Sequence, residues 1–73
     1  MFAKIKLQMQ YLSEREKEIV QFISEGYTDN EIASQLMLSP KTVNTHRKNI
    51  LRKLNLKNTA LLIRFAFENN LIR

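Results

Sequence analysis

The sequence predicts an all-α fold, a four-helix bundle-like domain within 73 residues. Three observations carry that prediction. A hydroxyl residue stands three positions before a glutamate twice, at Ser13–Glu16 and Thr28–Glu31, which is the reciprocal cap that opens a helix. After each cap, apolar residues return at spacings of three and four, as one buried helix face requires. Finally, no second stretch offers a strand partner to the only alternating segment, at the start of the chain.

That first segment fits two patterns. Ile5, Leu7, Met9 and Tyr11 alternate with Lys6, Gln8 and Gln10 like a strand, while Phe2, Ile5, Met9 and Leu12 suit a helix. Residues 1–11 are read as a lead-in or linker, extended or partly helical, and 12–73 as the domain.

Ser13 opens the first helix, and acids at 14 and 16 suit the positive end of its dipole. Ile19, Val20, Phe22 and Ile23 form its buried side, and Gly26, the only glycine, stops it near Glu25 in a left-handed conformation. Thr28 opens a short second helix with Ile32, Ala33, Leu36 and Met37 inward. Met37-Leu38-Ser39 is a tight connection to a long third helix, capped by Ser39 and led by Pro40, whose missing N–H costs nothing there. Two helices joined so closely match a helix-turn-helix, although the turn lacks the frequent glycine. Asn55 is the best non-glycine choice to end the third helix. Asn58 caps a fourth, from Thr59 to about Asn69, with Asn69 or Asn70 ending it. That helix is apolar almost all round. Leu62 and Ala66 are assigned to the core, leaving Leu61 and Phe65 partly exposed as a candidate dimer interface.

The composition excludes several classes. With no cysteine, disulfides and thiolate metal sites are ruled out, and one histidine among scattered carboxylates does not suggest zinc. No metal or other cofactor is expected. The longest purely apolar run, Ala60 to Ile63, is too short to span a bilayer, and the start lacks the apolar core of a secretory signal. A reducing, cytoplasmic setting with no membrane partner follows. The acids sit in the first half as helix caps, away from His46, so an enzyme is not expected.

Charge is unevenly placed. The net charge is +5, yet residues 1–31 hold four Lys/Arg and six acids, whereas 32–67 hold seven Lys/Arg and no acid. A basic block centred on one helix is the footprint of a polyanion binder, or else a solvated basic face. The third helix favours the first reading. Val43, Ile50 and Leu54 form its inward stripe, while Lys41, Asn44, Thr45, Lys48 and Arg52, at i, i+3, i+4, i+7 and i+11, share another. Cations neutralise phosphate, and Asn, Thr and Lys can read base edges in a major groove wide enough for a helix. Asn44 suits adenine N6 and N7, and Lys48 suits guanine O6 and N7. An A-form RNA duplex is disfavoured, because its groove is too deep and narrow for a rigid helix.

Leu12-Ser13-x-Arg15-Glu16, Gly26-x-Thr28, Glu31-Ile32-Ala33, Leu36, Ser39-x-Lys41-Thr42-Val43-x-x-His46 and Ile50-x-x-Lys53-Leu54 together resemble the LuxR/NarL-type helix-turn-helix domain over about residues 12–72. The resemblance implies a bacterial transcription regulator whose third helix enters the major groove and whose fourth pairs two subunits. It implies base contacts at Asn44, Thr45 and Lys48. Backbone-contacting or supporting roles fall to Lys41, Thr42, His46, Arg47 and Lys53, and Thr28 matches the hydroxyl where phosphate approaches the second helix. Arg52 joins the backbone contacts from its place on the stripe. His46 reads either as a phosphate contact or as a partly buried, locally bonded histidine. Asp29 and Asn30 depart from the family's common amide and cation, and Asp29 is expected to repel a phosphate there. The implied partners are double-stranded DNA, a second copy of the chain, an upstream sensory or receiver domain, and RNA polymerase. The alternative is a helical protein-interaction module docking through the apolar fourth helix.

Overall fold

The computed structural model of the chain describes residues 11–68. The lead-in, apart from Tyr11, and the terminal asparagines expected to end the last helix lie outside the described residues. Four helices follow in order: α1 (Glu14–Ser24), α2 (Asp29–Leu36), α3 (Pro40–Lys53) and α4 (Thr59–Glu68). No strand occurs among the described residues, and no helix there is long and apolar enough to cross a membrane.

Each helix begins where its side chains satisfy the free N–H groups of the first turn. Ser13 and Thr28 form complete capping boxes with Glu16 and Glu31. Ser39 Oγ accepts the Thr42 N–H at 3.1 Å, and Asn58 Oδ1 accepts the Leu61 N–H at 2.9 Å. Three of the helices end by one device. A residue with positive φ follows the last turn, at Gly26 (φ 90), Met37 (φ 57) and Asn55 (φ 56). The next amide then bonds back five residues: Tyr27 to the Phe22 carbonyl, Leu38 to Ala33, and Leu56 to Leu51. Tyr27, Leu38 and Leu56 also pack their side chains on the core, which is the apolar contact that accompanies such an ending.

Here the expectation for Met37 is corrected. It was placed inward at the end of the second helix, but it is 92% exposed and takes the left-handed position itself. Helical spacing counted it into the apolar stripe, yet the chain has already left the helix at that residue. The turn therefore lacks a glycine because a methionine carries the strained angle.

The core is one cluster. Ile19, Val20 and Ile23 of α1, Ile32 and Ala33 of α2, Val43 and Ile50 of α3, and Leu62 and Ala66 of α4 are buried together, with Leu12 and Leu54. Helix α3 packs against both α2 and α1, and α4 packs against α1. Leu62 and Ala66 face the core as expected. Phe65 is half-buried against it, and Leu61 is exposed. The α2–turn–α3 unit is thus held from behind by α1, and the opposite face of α3 is left to solvent.

Candidate nucleic-acid interface

The two stripes of α3 separate cleanly. Val43 and Ile50 are fully buried, whereas Lys41, Thr42, Thr45, Lys48 and Arg52 are exposed. Asn44 and His46 lie half-buried at the margins of the exposed face. Thr28 is exposed at the start of α2. The helix thus brings Lys41, Thr45, Lys48 and Arg52 onto one solvent face, with Asn44 at its edge.

The polar groups of that face differ in what they already bind. Thr45 donates its hydroxyl to the Lys41 carbonyl at 3.1 Å, which leaves its oxygen as an acceptor. Arg52 donates to Asn49 Oδ1 at 2.8 Å, a neutral partner that leaves its charge uncompensated. Thr42 shares a hydrogen bond with the Ser39 hydroxyl at 2.8 Å. The ammonium groups of Lys41, Lys48 and Lys57 have no hydrogen bond or ion pair with the described residues.

Arg47 and Lys53 sit differently. The Arg47 guanidinium turns toward the core of the fold, pairs with Asp29 Oδ1 at the start of α2, and reaches Thr59 Oγ1 at 3.5 Å. Its Nε is buried without a partner. Lys53 Nζ donates to Glu16 Oε1 at 2.8 Å. Each of these cations ties α3 to another helix, Arg47 from a half-buried position and Lys53 from an exposed one. Sequence reasoning missed Asp29 and Glu16 as their partners. One signal was available: the segment with seven cations has no acid of its own, so any ion pair it makes within the described fold must cross to an earlier helix or to Glu68. Asp29 does not stand as a bare charge at the mouth of α2, because Arg47 neutralises it.

Glu16 is the one buried charged side chain of the described core. Burial raises its pKa, but the hydrogen bonds from Lys53 and from the Ser13 N–H, with the Lys53 charge, outweigh that effect and hold it below the usual carboxylate value. Glu31 is also held low, by the Thr28 backbone and hydroxyl bonds, at a fully exposed site.

Beside the Asp29–Arg47 brace lies a shallow cleft of about 510 Å³, lined by Ile23, Tyr27, Thr28, Asn30, Thr59 and Ile63 among others. It opens between the α1–α2 turn and the start of α4.

Known proteins resemble this sequence. The family described as "Bacterial regulatory proteins, luxR family" matches residues 10–66. The chain is 44% identical over 61 residues to the oxygen regulatory protein NreC of Staphylococcus carnosus, covering 84% of this chain and 28% of that protein. It is 45% identical over 62 residues to the response regulator protein VraR of Staphylococcus aureus, covering 85% of this chain and 30% of that protein. The chain therefore spans less than a third of the length of these relatives. A match across most of the described residues, joined to four capped helices with α2 and α3 in a tight turn, shows that the chain belongs to the LuxR family of bacterial regulatory proteins as a helix-turn-helix domain.

Proposed function

We propose that this domain binds double-stranded DNA sequence-specifically by laying α3 in the major groove, as a transcription regulator or its output domain. The carrying observation is the exposed stripe of α3, with unpaired lysines at 41 and 48 flanking Thr45 and Asn44 over an acid-free half of the chain. Asn44, Thr45 and Lys48 face the bases. Lys41, Thr42, His46 and Arg52, with Thr28 from α2, meet the phosphates and set the register. Arg47 and Lys53 serve this interface by holding α3 against α2 and α1. Two copies bind together, with Leu61 and Phe65 of α4 at their seam and the exposed Phe67 beside them. The response-regulator relative supports an upstream receiver domain as the source of the signal, with RNA polymerase downstream.

The test is a titration of the labelled domain with duplexes, joined to one substitution. Chemical-shift changes are expected on Lys41, Asn44, Thr45, Lys48 and Arg52. Lys48→Ala is expected to cost about 1–3 kcal/mol on a selected duplex and much less on a random one. Equal losses on both duplexes would remove Lys48 from base reading. Shifts confined to Lys57 and Arg64 would remove α3 from the groove.

A further inference from the structure

We infer that Asp29, on α2, is the positioning residue that sets which way the Asn44 amide faces, and through it the base chemistry read at one position. The inference rests on the reading of Asn44 as a base contact. The observation is a hydrogen bond across fifteen residues, from Asn44 Nδ2 to Asp29 Oδ2 at 3.4 Å. The other carboxylate oxygen of Asp29, Oδ1, is taken by Arg47. Asp29 therefore sits between two α3 side chains and has one oxygen for each.

The orientation follows from donor and acceptor chemistry. An ionised carboxylate only accepts, so the Asn44 carbonyl cannot face it without setting two acceptors together. The amide must turn its NH₂ toward Asp29, as the structure places it. One N–H is then committed to Asp29, and the carbonyl Oδ1 with the second N–H remains for another partner. Arg47 pins the carboxylate in turn, through an ion pair at a site where both side chains are about a quarter exposed. The half-burial of Asn44 keeps water from competing freely for the same bond.

A carbonyl held ready to accept matches a base edge carrying an exocyclic amine. Adenine N6 and cytosine N4 donate there, and adenine N7 also takes the second N–H. Guanine O6 and thymine O4 would meet the carbonyl as a second acceptor. Asp29 thus makes Asn44 a reader of amino over keto bases. Without Asp29 the amide can turn over, present its NH₂ to a keto oxygen, and lose the distinction.

The experiment selects duplexes from a library with a randomised core, using the 73-residue chain and five variants. Asn44→Ala identifies the position that Asn44 reads. At that position the native chain is expected to prefer adenine or cytosine over guanine and thymine by about tenfold. Asp29→Asn has a single oxygen, which Arg47 takes, and turns an NH₂ donor to Asn44, so the preference is expected to be lost there. Arg47→Met removes the ion pair, spares the Asp29–Asn44 bond and retains the preference, whatever happens to overall affinity. Asp29→Ala is expected to bring the preference within about twofold. Should Asp29→Ala not fold, Asp29→Ala/Arg47→Met, which removes both charges of the pair, carries the comparison. In the free protein, one Asn44 side-chain amide proton should exchange slowly with solvent, and it should lose that protection in Asp29→Ala. Retention of the tenfold preference in Asp29→Ala or in Asp29→Asn, or a native preference for keto bases, overturns the proposal alone. No change at any position in Asn44→Ala overturns the base-contact reading together with it.

Discussion

Glu16 does three jobs with one carboxylate. It closes the cap of α1 through the Ser13 N–H at 2.8 Å, it is 4% exposed within the core, and it holds Lys53 of α3 at 2.8 Å. Its pKa is lower in the folded chain than in the unfolded one. The unfolded state therefore binds more protons in that range, and stability rises with pH. The contribution is complete above the unfolded pKa and is lost as pH falls through the folded value. Thermal melts from pH 7 down to pH 3 should show it. Glu16→Gln is expected to cost about 1–2 kcal/mol at pH 7, and the gap from the native chain should close as the pH drops below about 4.5. A gap that stays constant with pH would mean that the charge of Glu16 contributes nothing. Met37 offers the opposite case, a residue that costs stability. Its φ of 57 is unfavourable for a side chain with a Cβ, and at 92% exposure it returns little packing. Met37→Gly should stabilise the domain by up to about 1 kcal/mol, read as a rise in the urea midpoint. The sequence shows Ser13, Thr28, Ser39 and Asn58 as caps because a cap is decided within three residues. It does not show that Glu16 meets Lys53, 37 residues away, because a capping box explains the glutamate completely without a second partner. Met37 was misread for a related reason: periodicity continues past the last helical residue and does not mark where the chain turns.

At the scale of the element, α3 is amphipathic in two senses. One side is apolar and buried, and its cations divide between braces and free charges. Spacing alone made the first division legible, and Val43, Ile50 and Leu54 are buried as read. Spacing could not make the second, because Arg47 and Lys48 are neighbours in sequence and differ only in what the fold brings near them. The division has a measurable effect on binding. With Arg47 and Lys53 occupied and Lys48 proposed to face the bases, Lys41, Arg52 and Lys57 are left to neutralise phosphate. About three phosphates per copy give a log–log slope of affinity against salt near −3. Arg52→Ala should reduce that slope by about one, and Lys53→Ala should leave it nearly unchanged while lowering the melting temperature. A reduction by one in Lys53→Ala would show that Lys53 leaves Glu16 for the DNA.

For the whole molecule, four short helices enclose one modest core, and α4 leaves large apolar side chains at the surface. Leu61 is 37% exposed and Phe67 60% exposed. A domain of this size gains from a partner that covers such a face. Leu61→Glu should leave the fold intact, since the position is at the surface, and should abolish cooperative binding of two copies to a twofold-symmetric duplex. Sedimentation of the complex reads the stoichiometry directly, and an undiminished two-to-one complex would move the seam elsewhere. The proposed two-copy arrangement rests, in the sequence, on an apolar excess on the fourth helix alone, because a surface's partner leaves no periodicity of its own in the chain.

The joint between α2 and α3 also bears on what binding costs. Its turn is three residues long, its Leu38 amide is bonded back into α2, and Leu38 itself is packed on the core. Asp29 and Arg47 then link the start of α2 to the middle of α3. On the proposed binding mode, a joint closed in this way has little freedom left to surrender when it meets a rigid groove. The ordering entropy that a loose recognition helix would lose at the moment of contact has already been lost in folding. A small interface can then hold its site without first having to be shaped by it.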